Sequence, residues 1–380
     1  MRSTALFWVQ HLLGSGHLRR IAAIASALSR HGIQCVVASG GMPLSHLDLG
    51  AAELVQLPPV RAADAGFSGL VDHHASPVDD QLMAQRRDLL CELVADLAPE
   101  VVVTETFPFG RRQLRHEALA LLDAADALAK PSLTVCSVRD ILEQASKPER
   151  YEQMRAIAMG RYDRVMVHGD PRLVTFGDTF PFADALGERL VHTGYIAAPT
   201  VTVTDRDGPG SQEVIVSAGG GAVGLALLEA AAGARPLSAH ASNLTWRLLT
   251  GDPSLASSFQ LSGDGIVAEP NRADFALLLA RCAVSVSQGG YNTITDIFNA
   301  RARAVVVPYG GEGETEQTER ATRLARQGSI IMLPEAELSP RSLGRAIDQA
   351  MALPHLSPGV IDLDGAERSA ELLLQWMDDD

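Results

Sequence analysis

The chain has 380 residues, of which 46% are hydrophobic and 21% charged, a balance typical of globular proteins rather than disordered ones. Its formal net charge of −14 offers little attraction to a polyanion, so we expect no nucleic-acid partner. No apolar run in the sequence reaches the roughly 20 residues that a membrane helix needs. At roughly 100–200 residues per domain, this length predicts two domains.

The amino terminus carries an early apolar run, Ala5 to Val9. Gln10 and His11 interrupt the run, and no small-residue cleavage pattern follows, so the segment does not resemble a secretory signal. We therefore expect the run to be the first buried strand of a cytoplasmic protein.

Short apolar runs rich in β-branched residues alternate with longer helical stretches in the first half of the chain. Between the first two runs, Ile21, Ile24 and Leu28 recur at helical spacing. This alternation predicts a parallel sheet with helices on both faces. The strands predicted in this half are Ala5 to Val9, Gln34 to Ala38, Val101 to Thr104, Leu133 to Val138 and Arg164 to Val167.

A stretch without periodicity separates the two halves. Residues 197–211 contain prolines, glycines and threonines, a composition typical of an interdomain linker. The pattern then begins again, with helices predicted at about 223–232 and at about 366–377 at the carboxyl terminus. The strands predicted in this half are Glu213 to Ser217, Trp246 to Thr250, Gly265 to Ala268, Ala283 to Ser287, Ala304 to Val307 and Ile330 to Leu333.

Together these patterns predict an α/β protein of two Rossmann-like domains facing each other across a cleft. The first domain is expected at 1–196, the linker at 197–211 and the second domain at 212–380. The last helix is expected to pack either there or back on the first domain. Ligands of such sheets bind outside the carboxyl ends of the strands, so polar residues that follow the strands are the candidate site residues.

A glycine turn follows the first predicted strand, formed by Gly14, Ser15 and Gly16 and followed by His17. Glycines let backbone amides approach a ligand closely, and the start of the next helix favours negative charge. The spacing does not complete a dinucleotide-binding pattern, so the turn is either an acceptor-side ligand loop or a plain strand-to-helix turn. His17 is a candidate general base, with a hydrogen-bonded structural histidine as the alternative.

A second glycine turn occupies the same position in the second half. Ser217 ends a predicted strand and is followed closely by Gly219, Gly220 and Gly221. Three consecutive glycines are costly to order, and their exposed amides at a helix start suit a diphosphate. The turn lacks the lysine of a P-loop, which disfavours triphosphate hydrolysis. A plain turn is the alternative.

The third and most specific motif follows the strand predicted at 283–287. Thr293 and Asp296 lie about one helical turn apart, and Glu316 and Gln317 start a helix after the next strand. Carboxylates and amides suit sugar hydroxyls, which both donate and accept hydrogen bonds; solvated acids at helix starts are the alternative. The candidate donor-binding residues of this motif are Gln288, Gly289, Gly290, Asn292, Thr293, Asp296, Glu316 and Gln317.

Polar residues also follow three strands of the first half. Glu105 ends a strand beside Phe107 and Phe109, and we expect these rings to raise its pKa and make it a second candidate base. An exposed acid in a loop is the alternative. Arg139 directly follows the strand predicted to end at Val138, and His168 directly follows the one predicted to end at Val167. Both are candidate acceptor contacts, with an internal ion pair or a helix cap as the alternative.

Taken in order, these motifs resemble the GT-B glycosyltransferases of the MurG-like group, with a family 28 type of carboxy-terminal domain. The resemblance rests on the turn with His17, the second glycine cluster, and Gly-Gly-x-Asn-Thr-x-x-Asp followed by Pro and Glu-Gln. It covers most of the chain and is sharper in the second half. It implies that the second domain binds a nucleotide sugar, that the first binds the acceptor, and that the anomeric carbon is inverted.

The resemblance also implies roles for single residues. The three glycines from Gly219 to Gly221 would face the donor diphosphate, and Asp296 would bind the nucleotide ribose where the family has a glutamate. Glu316 and Gln317 stand where the family places side chains against the donor sugar. His17 matches the histidine of the family's first glycine loop.

The group is metal-independent, so we expect no metal and no other cofactor. Helix-start amides can stabilise the departing diphosphate instead. Two Asp-x-Asp pairs match the spacing by which many glycosyltransferases hold a divalent metal, but they lie away from the glycine turns, and we interpret them as solvated acids. These pairs are Asp205 with Asp207 and Asp362 with Asp364.

The sequence therefore predicts an inverting, metal-independent glycosyltransferase. It would move a hexose or N-acetylhexosamine from a nucleoside-diphosphate sugar, UDP-linked, to a hydroxyl of a small-molecule or lipid-linked acceptor. The alternatives are a nucleotide-sugar hydrolase or 2-epimerase, and a non-catalytic nucleotide-sugar-binding subunit. We expect a cytoplasmic protein, and peripheral contact with the inner face of the membrane is a further hypothesis. The basic patch for that contact would comprise Arg19, Arg20, Arg111, Arg112 and Arg115.

Overall fold

The computed structural model describes residues 3–44, 47–64, 68–144, 147–201, 203, 207–218, 224–251, 256, 259, 265–311 and 315–379. The chain divides into two compact units. The first unit comprises residues 1–171, 175–196 and 364–380, and the second comprises residues 172–174 and 197–363.

The first unit is built on a parallel sheet. Its strands are β1 (Thr4–Val9), β2 (Gln34–Ser39), β3 (Glu53–Gln56), β4 (Arg61–Ala62), β5 (Leu70–Val71), β6 (Val101–Glu105), β7 (Leu133–Arg139), β8 (Arg164–His168) and β9 (Leu190–His192). Seven of them form one sheet in the order β3-β2-β1-β6-β7-β8-β9, with every neighbouring pair parallel. The short strands β4 and β5 pair separately and antiparallel.

Helices cover both faces of this sheet. They are α1 (Gly16–Ser29), α2 (Asp80–Leu97), α3 (Arg115–Asp126), α4 (Pro148–Arg161), α5 (Ala183–Leu186) and the carboxy-terminal helix α11 (Gly365–Asp379). Successive side chains of a strand point to opposite faces. Phe7 and Val9 of β1 therefore pack with α1 and α11, whereas Leu6 and Trp8 pack with α2, α3 and α4.

The carboxy-terminal helix packs against α1 within the first unit. Leu373 and Trp376 are buried in the same apolar cluster as Ile21 and Leu28 of α1, and this burial of apolar surface stabilises the position of the helix. The expected second domain extended to residue 380, whereas the second unit ends at Leu363.

The second unit repeats the parallel architecture. Its strands and helices are β10 (Val214–Ser217), α6 (Leu225–Ala234), β11 (Trp246–Leu249), β12 (Ile266–Glu269), α7 (Phe275–Arg281), β13 (Val284–Ser287), α8 (Tyr291–Ala300), β14 (Ala304–Val306), α9 (Glu316–Arg326), β15 (Ile331–Met332) and α10 (Pro340–Ala352). The order in the sheet is β12-β11-β10-β13-β14-β15, with neighbours parallel. The described part of this chain therefore contains two Rossmann-like sheets, which confirms the prediction of an α/β protein with two Rossmann-like domains.

The register of the first sheet brings the strand ends together. Val9 lies opposite Ser39, and Glu105 lies opposite Ser137. Because these strands are parallel, the loops that follow β1, β2, β6 and β7 meet at one edge of the sheet.

A buried ion pair fixes two of these loops. Arg86 of α2 is fully buried and donates to Glu117 of α3 at 2.7 and 2.8 Å. The same guanidinium donates to the Gln10 side chain at 2.8 Å and to the Gly40 carbonyl at 2.9 Å, and Trp8 Nε1 donates to Glu117 at 2.9 Å. A buried polar network with its partners in place gives the loops after β1 and β2 a defined position.

Every predicted strand is present, with ends that differ by a single residue. The sequence did not predict β3 and β9, which are the two edge strands of the first sheet. β3 has mostly exposed residues and β9 has only three residues, so neither has the buried apolar run that marks a central strand.

Candidate active site

His17 lies in the first turn of α1, directly after the glycine turn that follows β1. Gly14 has a φ of +57°, a conformation that glycine adopts without steric cost. Ser15 is the residue before the helix and Gly16 is its first residue. The His17 side chain is 17% exposed, and its Nδ1 lies 2.7 Å from Oε1 of Glu105. The turn therefore places the imidazole of His17 beside the last residue of β6.

Glu105 is the last residue of β6 and is fully buried. Besides the contact with His17, its Oε1 accepts hydrogen bonds from Nη2 of Arg20 and, at 2.7 Å, from Oγ1 of Thr106. Nη2 of Arg111 lies 4.0 Å from the other oxygen, Oε2. An ionised carboxylate only accepts hydrogen bonds, so the proton of the contact with His17 is on Nδ1, and Nε2 of the neutral ring has a free lone pair. We call these two residues the His17–Glu105 pair.

Opposing effects act on the pKa of Glu105. Burial by itself would raise this pKa, but the hydrogen bond from His17 and the positive charge of the Arg20 guanidinium outweigh burial and hold the pKa well below its usual range. The prediction of a raised pKa beside aromatic rings is therefore wrong. Phe107 and Phe109 lie in the apolar cluster on the opposite face of the sheet from α1.

His17 is neutral near pH 7. Burial lowers its pKa from 6.5 to about 3; Glu105 opposes this effect, and the charges of Arg111 and Arg139 reinforce it. A neutral imidazole with Nε2 unprotonated is the form that accepts a proton from a hydroxyl.

The turn after β6 has an unusual backbone. Thr106 and Arg111 both have positive φ, 67° and 60°, a conformation that costs non-glycine residues about 1–3 kcal/mol each and persists where neighbouring contacts impose it. Nε of Arg111 donates to the Gln10 carbonyl at 2.6 Å. A Cβ on Gly110 would lie 2.6 Å from the Thr106 side chain. The turn thereby holds Thr106 and Arg111 close to the carboxylate of Glu105.

His168 has a structural role, contrary to the predicted acceptor contact. It ends β8 and has no exposed surface. Its Nε2 lies 2.7 Å from Oγ of Ser137, and its Nδ1 lies 2.8 Å from Oγ1 of Thr193. Burial holds its pKa well below 6.5. Both ring nitrogens are bound within the protein, so this side chain has nothing to offer an acceptor.

Arg139 is the last residue of β7 and is half-buried. Its positive charge contributes to the low pKa of His17, so it belongs to the electrostatic environment of the His17–Glu105 pair. Its contact with an acceptor remains a prediction.

Two of the five arginines that were expected to form a basic patch for a membrane surface are largely buried. The side chain of Arg20 is 1% exposed and that of Arg111 is 11% exposed, because both face Glu105 rather than solvent. Arg19, Arg112 and Arg115 are exposed. In the described part of the chain, no helix is long and apolar enough to cross a bilayer.

Strand register also brings the loops of the second unit together. Ser217 of β10 lies opposite Ser287 of β13, which lies opposite Val306 of β14. The loops after these strands therefore meet at one edge, and Ser217 itself is half-buried. The predicted diphosphate-binding residues Gly219, Gly220 and Gly221 lie outside the described residues.

Gln317 joins two of these loops. Its Oε1 accepts hydrogen bonds from the backbone amides of Gly289 at 3.0 Å and Tyr309 at 3.2 Å. A Cβ at Gly289 would lie 3.2 Å from the Gln317 carbonyl oxygen, so glycine suits this close approach. The sequence predicted a contact with the donor sugar, which remains a prediction, whereas the structure shows a loop-organising side chain.

Glu316 takes part in a mostly buried ion pair. Its Oε1 accepts from Nη1 of Arg320 at 2.9 Å, and the two side chains are 12% and 0% exposed. The guanidinium of Arg320 lies over the ring of Tyr291 in α8, 5.4 Å from its centroid. This chain of contacts joins the first turn of α9 to the start of α8.

The start of α8 suits an anion. Within the described residues, no side chain caps the helix at Gly290, and no acid lies in its first turn. The backbone amides and the helix dipole at a helix start attract negative charge. Asn292 is exposed, and Gln288, Thr293 and Asp296 are half-buried.

Sequence reasoning missed Arg20 and Thr106 as parts of the site. A signal existed for Arg20, because Arg20, Ile24 and Leu28 are spaced by four and share the buried face of α1. A charged residue on an apolar helix face requires a partner in the interior. Nothing in the sequence marked Thr106.

The structure describes three of the four acids in the Asp-x-Asp pairs, which the sequence predicted to be solvated. Asp362 and Asp364 are exposed, and Asp205 lies outside the described residues. Across the residues that are described, no group of three or more His, Cys, Asp or Glu side chains is placed to hold a metal ion.

Most of the second unit is similar to a known family of domains. Residues 214–356 match the glycosyltransferase family 28 C-terminal domain. An uncharacterized glycosyltransferase of Methanopyrus kandleri is 30% identical over 117 residues, 30% of this chain and 33% of that protein. The UDP-N-acetylglucosamine–N-acetylmuramyl-(pentapeptide) pyrophosphoryl-undecaprenol N-acetylglucosamine transferase of Rhodospirillum centenum is 24% identical over 214 residues, 52% of this chain and 55% of that one. In sequence, the chain thus spans about a third of the first relative and about half of the second.

Solved structures extend the likeness to the whole chain. MurG of Acinetobacter baumannii has a TM-score of 0.60 at 16% identity, covering 100% of both chains. The glycosyltransferase of kitacinnamycin has a TM-score of 0.64 at 15% identity, covering 99% of this chain and 100% of that one. At these identities the likeness shows the fold alone. Residues 214–356 therefore resemble the glycosyltransferase family 28 C-terminal domain, and the chain as a whole has the GT-B fold.

Proposed function

We propose that this protein is an inverting glycosyltransferase that moves a sugar from a nucleoside-diphosphate sugar to an acceptor hydroxyl. The His17–Glu105 pair carries the proposal, because a neutral imidazole beside an ionised carboxylate at the edge of the first sheet suits the activation of a hydroxyl. The family 28 domain at 214–356 supports a nucleotide-sugar donor in the second unit.

His17 acts as the general base in this mechanism. Its Nε2 takes the proton of the acceptor hydroxyl while the hydroxyl oxygen attacks the anomeric carbon, and Glu105 stabilises the imidazolium that forms. The new bond from carbon to acceptor oxygen forms as the bond from carbon to the diphosphate oxygen breaks. Attack from the face opposite the leaving group inverts the anomeric configuration.

The second unit binds the donor and stabilises the leaving diphosphate. The backbone amides at the start of α8 supply partial positive charge for that anion, together with the glycines Gly219 to Gly221. Asp296 holds the ribose hydroxyls, and Glu316 and Gln317 border the sugar. Such amides take over the charge stabilisation that a metal ion gives in other enzymes, so we propose a metal-independent reaction.

We propose a UDP-linked donor, because the names of several relatives specify UDP-N-acetylglucosamine. The acceptor would be a small molecule or a lipid-linked hydroxyl compound. Several relatives carry pyrophosphoryl-undecaprenol in their names, which supports the lipid-linked class. With such an acceptor the reaction would take place at a membrane surface, and we propose peripheral contact with the inner face.

The first test is donor binding. The melting temperature is measured with UDP, dTDP, GDP and ADP, free and as sugar conjugates, with Mg²⁺ or with EDTA. A ligand that binds only the folded protein raises this temperature. We expect a shift with uridine nucleotides that persists in EDTA and shrinks in Asp296→Ala. A folded protein that shifts with none of these nucleotides would refute the donor site.

The second test is turnover with the sugar nucleotide that binds. The reaction is followed by proton NMR with and without a panel of hydroxyl acceptors, and the anomeric coupling constant reports the configuration of the product. Transfer with inverted configuration supports the proposal. Free sugar released without acceptor would instead indicate a hydrolase, an epimer would indicate an epimerase, and retained configuration would contradict inversion.

A further inference from the structure

The side chain of Arg20 also binds Oε1 of Glu105, the oxygen that contacts His17. Arg20 lies three residues after His17, on the same face of α1, and its side chain is 1% exposed. Its Nη2 donates to Oε1 of Glu105, the oxygen that also accepts from His17, and lies 3.3 Å from Nδ1 of His17. A permanent positive charge is thus in contact with both members of the pair.

The positive charge of Arg20 determines which atoms of Glu105 and His17 carry protons. Burial without a cation would raise the pKa of Glu105, because a low-dielectric interior disfavours a carboxylate. A protonated Glu105 would donate to Nδ1 of His17 and leave the ring proton on Nε2. An imidazole with its proton on Nε2 cannot accept one there. Imidazolium formation beside an ionised Glu105 would also place a proton on Nε2, and the guanidinium of Arg20 opposes both states.

We propose that Arg20 is a positioning residue of this site, which keeps Glu105 ionised and Nε2 of His17 unprotonated by donating to the shared Oε1 oxygen. The proposal rests on the proposed function, since it assigns a role to Nε2 as the base. Arg20 acts through Glu105 and His17 and has no contact with substrate in this role.

Other charged and titratable groups also face the pair, and the test must separate Arg20 from them. Arg111 lies 4.0 Å from Oε2 of Glu105, and Arg139 acts on His17 through its charge. The charge of Glu105 also acts on His11, Cys136 and His168. Arg111 and Arg139 remain in place in every variant below, so a change in the proton affinity of the pair reports on residue 20.

The experiment compares R20Q with R20K in the full-length protein. Gln removes the charge at similar length, and Lys keeps the charge without the planar fork of the guanidinium. R30Q is the matched control, because Arg30 is an exposed residue directly after the same helix and its loss changes the net charge equally. Two measurements are made on each protein: the ¹⁵N NMR shift of His17 Nε2 against pH, assigned with H17Q, and the pH dependence of kcat/KM.

We expect Nε2 of His17 to remain unprotonated in the wild type from about pH 8 down to about pH 5.5. In R20Q the pair should take up a proton about 1–3 pH units higher, because a charge within about 4–6 Å shifts a pKa by that amount. An acid limb should then appear in kcat/KM. R20K should restore most of the wild-type profile, and R30Q should match the wild type, because the charge of Arg30 is screened by solvent.

Profiles of R20Q that coincide with those of the wild type would overturn the proposal and leave Arg20 as a packing residue. If R20Q fails to fold, the NMR measurement on the wild type still tests the proposal. A protonated Nε2 of His17 at about pH 7 would contradict the role assigned to Arg20. The NMR measurement needs no turnover. Absence of any sugar transfer by the wild type would therefore refute the proposed function separately from the role of Arg20.

Discussion

Nδ1 of His17 lies 2.7 Å from Oε1 of Glu105, although 88 positions separate the two residues in the chain. The contact forms because β1 and β6 are neighbours in register, so that the turn after β1 meets the last residue of β6. A carboxylate that holds one nitrogen of an imidazole directs the other nitrogen, with its lone pair, toward a substrate.

Replacement of His17 by glutamine should lower kcat by about 10²–10⁴-fold, the usual contribution of a general base. The affinity for UDP should stay unchanged, because the proposed donor-binding loops lie in the second unit. Steady-state kinetics and calorimetric titration with UDP measure the two effects. Wild-type turnover in this variant would transfer the role of base to another group.

Glu105→Gln tests the charge of the carboxylate at nearly constant shape. We expect kcat to fall by about 10²–10⁴-fold, since an amide neither fixes the ring tautomer nor stabilises the imidazolium. The free energy of unfolding should also fall by about 3–5 kcal/mol, because Arg20 stays buried without its anion. Kinetics are measured well below the melting temperature, with Glu105→Asp as the charge-retaining comparison. Equal activity of the two variants would argue against a charge effect.

Asp296→Asn tests the proposed contact with the donor ribose. Hydrogen bonds from hydroxyls to a charged acceptor contribute about 1.5–3 kcal/mol, so we expect the Kd for the nucleotide to rise about tenfold to a hundredfold. Glu229→Gln is the matched control, since Glu229 is an exposed acid of α6 in the same unit. An equal change of Kd in both variants would show that the effect comes from the loss of a negative charge rather than from a contact between Asp296 and the ribose.

Gln317→Met removes the acceptor that binds the amides of Gly289 and Tyr309. Leaving a buried donor unsatisfied costs about 1–3 kcal/mol, so urea unfolding should show a loss of that order, with weaker donor binding. Gln317→Glu keeps an oxygen at the same place and should restore most of the stability. If Gln317→Met unfolds like the wild type, the side chain does not organise these loops.

Stability should decrease as the pH falls below about 6.5, because the folded-state pKa values of His17 and His168 are lowered by burial. The unfolded chain binds protons on these histidines from about pH 6.5 downward while the folded protein does not, so each contributes a loss of about 1.4 kcal/mol per pH unit. This loss continues until the folded-state pKa is reached.

Urea unfolding at about pH 7.5 and about pH 5.5 measures this dependence. His168→Gln should show a smaller decrease between the two conditions than the wild type. His31→Gln is the control, since His31 is exposed and its loss should leave the decrease unchanged. An identical pH dependence in His168→Gln and the wild type would show that His168 does not carry the effect.

Local patterns predicted the elements and much of the candidate site. Runs such as Val101 to Val103 are apolar and β-branched, and their burial on both faces of a sheet follows from composition alone. Because parallel strands end at one edge, the polar residues after them could be expected to converge. His17 and Glu105 were identified as candidates in this way.

The partners of buried charges could be predicted only in part. Arg86 stands on the same helix stripe as Leu90 and Val94, a signal that its guanidinium would be buried. Its partner Glu117 is 31 positions away in the chain, and no local pattern relates the two. Arg20 and Glu105, 85 positions apart, pose the same problem.

The sequence by itself determined the alternation of strands and helices, the glycine turns and the resemblance to MurG-like glycosyltransferases, because these depend on neighbouring residues. Only the tertiary structure decided that Glu105 has a lowered pKa, that His168 is a buried structural residue and that the last helix belongs to the first unit. Electrostatic and packing energies depend on distances between residues far apart in the chain, and those distances exist only once the sheet has formed.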